Sequence, residues 1–197
     1  MKTEDFQINT SDLVYIPAED TFLLADNLEI EKNDTVLEIG TGTGTVAMYA
    51  SKLTDNQITV TDINLDALSL AEENFKINNI DNIETVFGNL FEPLENRKFD
   101  VILFNTPYLP TEENDIIDDN LNYAFDGGAD GRKVIDPFLY EVKNHLNDNG
   151  KVQLIQSSLS NIPKTLDILE KEGFKCEITA SEHFFFEEVA LITGYLI

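Results

Sequence analysis

Strand-like apolar runs alternate with helix-like segments along most of the chain, and that alternation limits the fold more than any other feature. The runs are "DTVLEIG", "QITVTDI", "NIETVFG", "FDVILF", "GKVQLIQ", "FKCEITA" and "EEVALITGYLI". Between the first two, "GTVAMYASKL" has helical spacing. Between the second and third, "NLDALSLAEENFKINN" is amphipathic and opens on a candidate cap, Asn64. Two later helices are expected, "VIDPFLYEVKNHLND" ending before Gly150 and "IPKTLDILEKE" ending before Gly173. A helix between two strands has room to carry the chain back for parallel pairing. The expected architecture is therefore α/β, a seven-stranded, mostly parallel sheet with helices on both faces. At the C-terminus "HFFFEEVALITGYLI" leaves no space for a crossover helix, so the last strand should return as a hairpin and run antiparallel.

No repeat, low-complexity tract or linker divides the chain, and its 197 residues suit one domain, 1–197. No apolar run approaches the roughly 18 residues of a membrane span. The polar, acidic start "MKTEDFQINTSD" does not resemble a targeting peptide, so the expected location is cytoplasmic. Cys176 is the single cysteine, accompanied by His145 and His183, which rules out an internal disulfide and a Cys/His metal cluster. No metal is expected, and both histidines read as surface or strand residues. Thirteen basic against 37 acidic residues give a net charge of −24, which repels a phosphate backbone and suits a basic protein partner.

Chemistry concentrates at the strand ends. The first strand runs into "EIGTGTG", Glu38 to Gly44, directly before a helix, where glycines let a ligand approach the backbone. Its third glycine comes one residue too early for a dinucleotide fingerprint, and Thr45 stands in the expected place, which favours a ligand without a pyrophosphate. About twenty residues later the second strand ends at Asp62, placed to accept ribose hydroxyls. The third ends in "FGNLF", where Asn89 can bond an adenine edge. The fourth ends in "FNTPYLP". A turn is one reading of Asn105-Thr106-Pro107-Tyr108. The other is a grip on a planar amino group, with Asn105 Oδ1 and the Thr106 carbonyl accepting both N–H bonds, Tyr108 packing on the plane and Pro107 holding the turn.

From Pro17 to Tyr108 these motifs resemble the class I S-adenosylmethionine-dependent methyltransferases, and the alternating pattern extends that likeness, with a Rossmann-like fold, over the whole chain. The resemblance implies S-adenosylmethionine as cofactor and S-adenosylhomocysteine as product. It puts the cofactor against Glu38, Gly40, Thr41, Gly42 and Gly44 after the first strand, Asp62 and Ile63 after the second, and Asn89 and Leu90 after the third. Asn105, in the tetrad, borders the same pocket. The tetrad itself is similar to the (Asn/Asp)-Pro-Pro-(Tyr/Phe) motif of amino methyltransferases. Thr106 departs from the usual proline, which keeps the carbonyl but gives up rigidity.

Together with "VYIPAEDTFLL" and "FDGGADGRKVIDPFL", the tetrad resembles the HemK-related glutamine methyltransferases, in particular their archaeal and eukaryotic branch. That likeness implies methylation at N5 of the glutamine in the Gly-Gly-Gln motif of a class 1 translation termination factor. It also implies a small zinc-ribbon-like activator protein, and the edge strand "NIETVF" is the expected heterodimer surface. Tyr15, Pro17 and Thr21 would shape the cofactor pocket, and Asp20 would lie close to the reacting centre. Phe125 stands where a Trp is common. The alternatives are an RNA or DNA exocyclic-amine methyltransferase, opposed by the net charge, and a non-catalytic cofactor-binding protein. "TEENDIIDDN", Thr111 to Asn120, follows the tetrad closely and reads as an acidic rim able to steer a basic substrate.

Overall fold

The computed structural model describes residues 6–111, 126–184 and 186–197. Its strands are β1 (Val36–Ile39), β2 (Ile58–Asp62), β3 (Ile83–Phe87), β4 (Phe99–Asn105), β5 (Leu146–Ser157), β6 (Phe174–His183) and β7 (Glu188–Leu196). The helices are α1 (Glu19–Ala25), α2 (Thr45–Ala50), α3 (Leu65–Ile77), α4 (Ile135–Glu141) and α5 (Ile162–Lys171). One sheet holds all seven strands in the order β3-β2-β1-β4-β5-β7-β6. Strands β1 to β5 pair in parallel, while β7 runs antiparallel to β5 and β6, as the short C-terminal connection requires.

Strand alternation divides the core between two faces. Leu37, Ile102, Phe104 and Leu154 pack on one side with Phe138 of α4 and Leu169 of α5. Val36, Val101, Leu103 and Ile155 pack on the other with Leu24 of α1 and Ala47 of α2. Asn105 continues the Val101–Leu103 row, so period-two geometry turns it toward the α1 face. The Asn64 cap forms as expected: its Oδ1 accepts the Asp66 N–H at 2.9 Å and α3 begins at Leu65.

One helix is shorter than its pattern. After α4 the chain takes a 3₁₀ turn, Val142–His145, and Leu146 already pairs with Phe99 in β5. Leu146 is buried against the sheet, and Asn147 Nδ2 bonds Asp100 Oδ1 at 2.8 Å. Apolar spacing therefore continued past the true helix end, because Leu146 serves strand packing instead. His145 is also corrected: it is buried, its ring stacked 4.5 Å from that of Phe91 and its Nδ1 2.9 Å from the Arg97 carbonyl.

Candidate active site

The parallel strands end on one side of the sheet, and their C-terminal turns enclose a cavity between β1, β2, β3 and β4. Open α/β sheets bind ligands there because loops and helix N-termini converge beyond the strand ends. Behind β1, Gly42 (φ +55°) presents its N–H to Asp62 Oδ2 at 2.9 Å, while Asn64 N–H reaches Oδ1 at 2.9 Å. The two turns are thus tied through one buried carboxylate. Burial raises the Asp62 pKa, and backbone N–H groups of Asn64, Gly42 and Ile63 oppose the rise.

Glu38 lies beneath the glycine turn. Its Oε2 accepts the Thr41 hydroxyl at 2.8 Å and the Ala47 N–H at 3.1 Å. Burial pushes its pKa up to about 8 despite those two donors, with the Asp62 charge adding to the rise. Gly44 has a different role from its neighbours. It does not border the cavity; at φ +80° it precedes α2, and a Cβ there would meet the Phe75 ring at 2.5 Å. That glycine permits α2 to pack against α3.

The far wall is the end of β4. Asn105 Nδ2 donates to Asp20 Oδ2 at 3.1 Å, and the Tyr108 hydroxyl donates to the same oxygen at 3.3 Å. Asp20 Oδ1 accepts the Tyr15 hydroxyl at 2.9 Å and the Thr21 N–H at 2.6 Å. Burial first, and then Asp20, drives both tyrosine pKa values upward, which keeps the hydroxyls protonated as donors. Asn105 Oδ1 is buried and has no partner. A buried acceptor left open in a concave site is a place for an incoming N–H.

Every expected site residue except Gly44 borders this cavity: Asp20 with the tetrad Asn105 to Tyr108 on one wall, and Tyr15, Pro17 and Thr21 beside them. Glu38, Gly40, Thr41, Gly42, Asp62, Ile63, Asn89 and Leu90 form the opposite side. Asn89 bonds Glu92 Oε1 at 3.2 Å, and Leu90 takes φ +47°. Sequence reasoning missed Val14 and Thr61, whose hydroxyl is buried without a partner. It also gave Asn64 a cap role alone, whereas its Nδ2 bonds the Leu13 carbonyl at 3.0 Å and draws the N-terminal segment over the cavity. Neither signal was local, since an Asn cap and a Thr within a strand are ordinary. Phe125 and the acidic residues 112–120 lie outside the described residues.

Residues 18–186 match the family described as "Methyltransferase small domain". A Methanocaldococcus jannaschii protein provisionally named protein N5-glutamine methyltransferase is 46% identical over 195 residues, covering 99% of this chain and 98% of that protein. Methyltransferase HEMK2 of Homo sapiens is 32% identical over 172 residues, covering 82% of this chain and 80% of the relative. Among solved structures, the E. cuniculi Mtq2-Trm112 complex, described as methylating the eRF1 translation termination factor, matches with a TM-score of 0.72 and 27% identity. That match covers 93% of this chain and 99% of the other.

Proposed function

The chain belongs to the methyltransferase small-domain family, and from that membership we propose that it methylates a glutamine side-chain amide to N5-methylglutamine. The proposed target is the Gly-Gly-Gln motif of a class 1 translation termination factor. One observation carries the reading: the buried, unpartnered Oδ1 of Asn105, a residue that lines the cleft at the end of β4. The N5-glutamine name of the M. jannaschii relative and the termination-factor substrate of the E. cuniculi complex support it.

S-adenosylmethionine fits the residues present. The glycine turn leaves its backbone accessible, Asp62 offers a buried carboxylate at the ribose position, and Thr61 Oγ1 remains as an unpaired polar atom. Gly40, Thr41 and Gly42 with Glu38 would hold the methionine part, and Asp62, Ile63, Asn89 and Leu90 the adenosine. When bound, the cofactor supplies a methyl group already activated by its sulfonium.

An amide nitrogen is a poor nucleophile because its lone pair is delocalised, so the chain's work is orientation and polarisation. Asn105 Oδ1 and the Thr106 carbonyl accept the two amide N–H bonds, which favours positive charge developing on nitrogen. Tyr108 packs against the amide plane. No side-chain base is needed before transfer, since the N–H acidity rises only as the new bond forms, and the proton can leave to water afterwards.

The proposal includes a partner. Strand β3 is one of the two sheet edges, and Phe87 at its end is 53% exposed. An unpaired edge with an exposed aromatic suits addition of a strand from a small, zinc-ribbon-like activator. Action on a translation factor places the pair in the cytoplasm; among the described residues no helix is long and apolar enough to cross a membrane.

The decisive experiment offers labelled S-adenosylmethionine with termination factor, ribosomal proteins or total RNA. Label on the glutamine of the factor is expected. Label confined to RNA overturns the proposed substrate.

A further inference from the structure

The site contains a pairing that the reaction alone does not explain. An asparagine amide is nearly symmetric in shape, and its orientation is decided by its neighbours. Here Asp20 lies on the α1 face, 85 residues away in sequence, and presents Oδ2 to Asn105 at 3.1 Å. A carboxylate oxygen cannot donate, so Asn105 must turn Nδ2 toward it. The rotated amide would set two oxygens against each other at that distance, which is repulsive.

Asp20 is held in turn by donors it cannot lose cheaply. Tyr15, the Thr21 N–H and the Thr21 hydroxyl, the last at 3.3 Å, converge on Oδ1, and Tyr108 shares Oδ2 with Asn105. Asp20 is 8% exposed. Tyr15 belongs to the segment before α1 and Tyr108 to the tetrad, so the carboxylate also joins the N-terminal segment to the tetrad.

We propose that Asp20 is the positioning residue of the site: by accepting the Asn105 Nδ2–H, it fixes Oδ1 as the acceptor facing substrate and requires asparagine at position 105. A hydrogen bond from an amide N–H to a carboxylate also increases negative character on the amide oxygen, which strengthens its hold on the substrate N–H. Aspartate at position 105 would put a second carboxylate about 3 Å from Asp20, and the two repel unless a proton is shared between them. This role of Asp20 rests on the proposed function only in requiring a planar N–H donor as substrate.

The test is a reciprocal exchange, read with whichever acceptor the wild-type enzyme methylates. Asn105→Asp alone should lower kcat by about a hundredfold or more at neutral pH while leaving the cofactor Kd within about threefold of wild type. Its activity should rise as pH falls and a proton returns to the carboxylate pair, a profile the wild type lacks. Adding Asp20→Asn restores a donor–acceptor match with the polarity reversed. The double variant should recover kcat to within about tenfold of wild type and lose the acid-side rise.

A double variant as slow as Asn105→Asp, with cofactor affinity intact, overturns the positioning role. So does Asn105→Asp activity that is near wild type at neutral pH. Methylation of RNA rather than the termination factor would defeat the substrate proposal alone, because the exchange is then read on RNA.

Discussion

The Thr106 hydroxyl donates a 2.7 Å hydrogen bond to the backbone carbonyl of Ile155 on β5. Related tetrads use proline at this place, whose ring restricts the backbone. Threonine restores part of that restraint by tying the tetrad to the neighbouring strand. Thr106→Val keeps the shape and removes the bond, so it should cost about 1 kcal/mol of stability and lower kcat several-fold. Thr106→Pro should remain active, since the ring replaces the lost tether. Thermal denaturation and steady-state kinetics on the two variants check both statements; an inactive proline variant with normal stability would refute the equivalence.

Asn105→Ala removes the open acceptor without touching the glycine turn. Cofactor affinity should stay near wild type while kcat falls by about a hundredfold or more, because the contact matters most as charge develops on nitrogen. Titration calorimetry together with methyl-transfer kinetics separates the two quantities. Normal turnover would reduce the tetrad to a chain reversal.

Asp62→Ala deprives the Gly42 and Asn64 N–H groups of their shared acceptor and, on the proposed function, the ribose of its partner. Cofactor binding should weaken by roughly 1–3 kcal/mol. Equal affinity of the variant and wild type would show that the ribose lies elsewhere.

Glu38 makes stability depend on pH. Its folded pKa, about 8, lies above the ordinary carboxylate range, so the folded protein binds this proton more tightly than the unfolded chain. The associated stability is fully present below that ordinary range and is lost as pH rises through about 8. Glu38→Gln should flatten the fall in denaturation midpoint between about pH 5 and pH 8, a difference on the order of a few kcal/mol. Binding of a cofactor that carries an ammonium group should draw a proton off Glu38. Calorimetry in buffers of different ionisation enthalpy would detect that release, and the glutamine variant should abolish it.

Phe87→Lys places a charge at the exposed end of the β3 edge. Heterodimer formation with a zinc-ribbon-like activator should weaken, whereas cofactor binding by the complex that remains should not. Co-purification yield across a salt series measures the effect, and unchanged assembly would move the interface away from this edge.

Local sequence determined which segments become strands and helices, because apolar spacing and the Asn64 cap act over a few residues. It also placed the candidate site residues: Asp62 and Asn105 end β2 and β4, Asn89 follows β3, and parallel crossovers bring those ends to one side of the sheet. The early end of α4 was not legible, since Leu146 satisfies helical spacing equally well and only its pairing with Phe99 decides the matter. Gly44 read as a ligand contact because a glycine's purpose depends on what approaches it, and here that is the Phe75 ring from α3. Period-two alternation put Asn105 on the same face as Leu103, but it could not say that α1 covers that face with Asp20. The orientation of the Asn105 amide was therefore decided by tertiary structure, because an amide's two ends differ only in hydrogen bonding and the partner that distinguishes them lies 85 residues away.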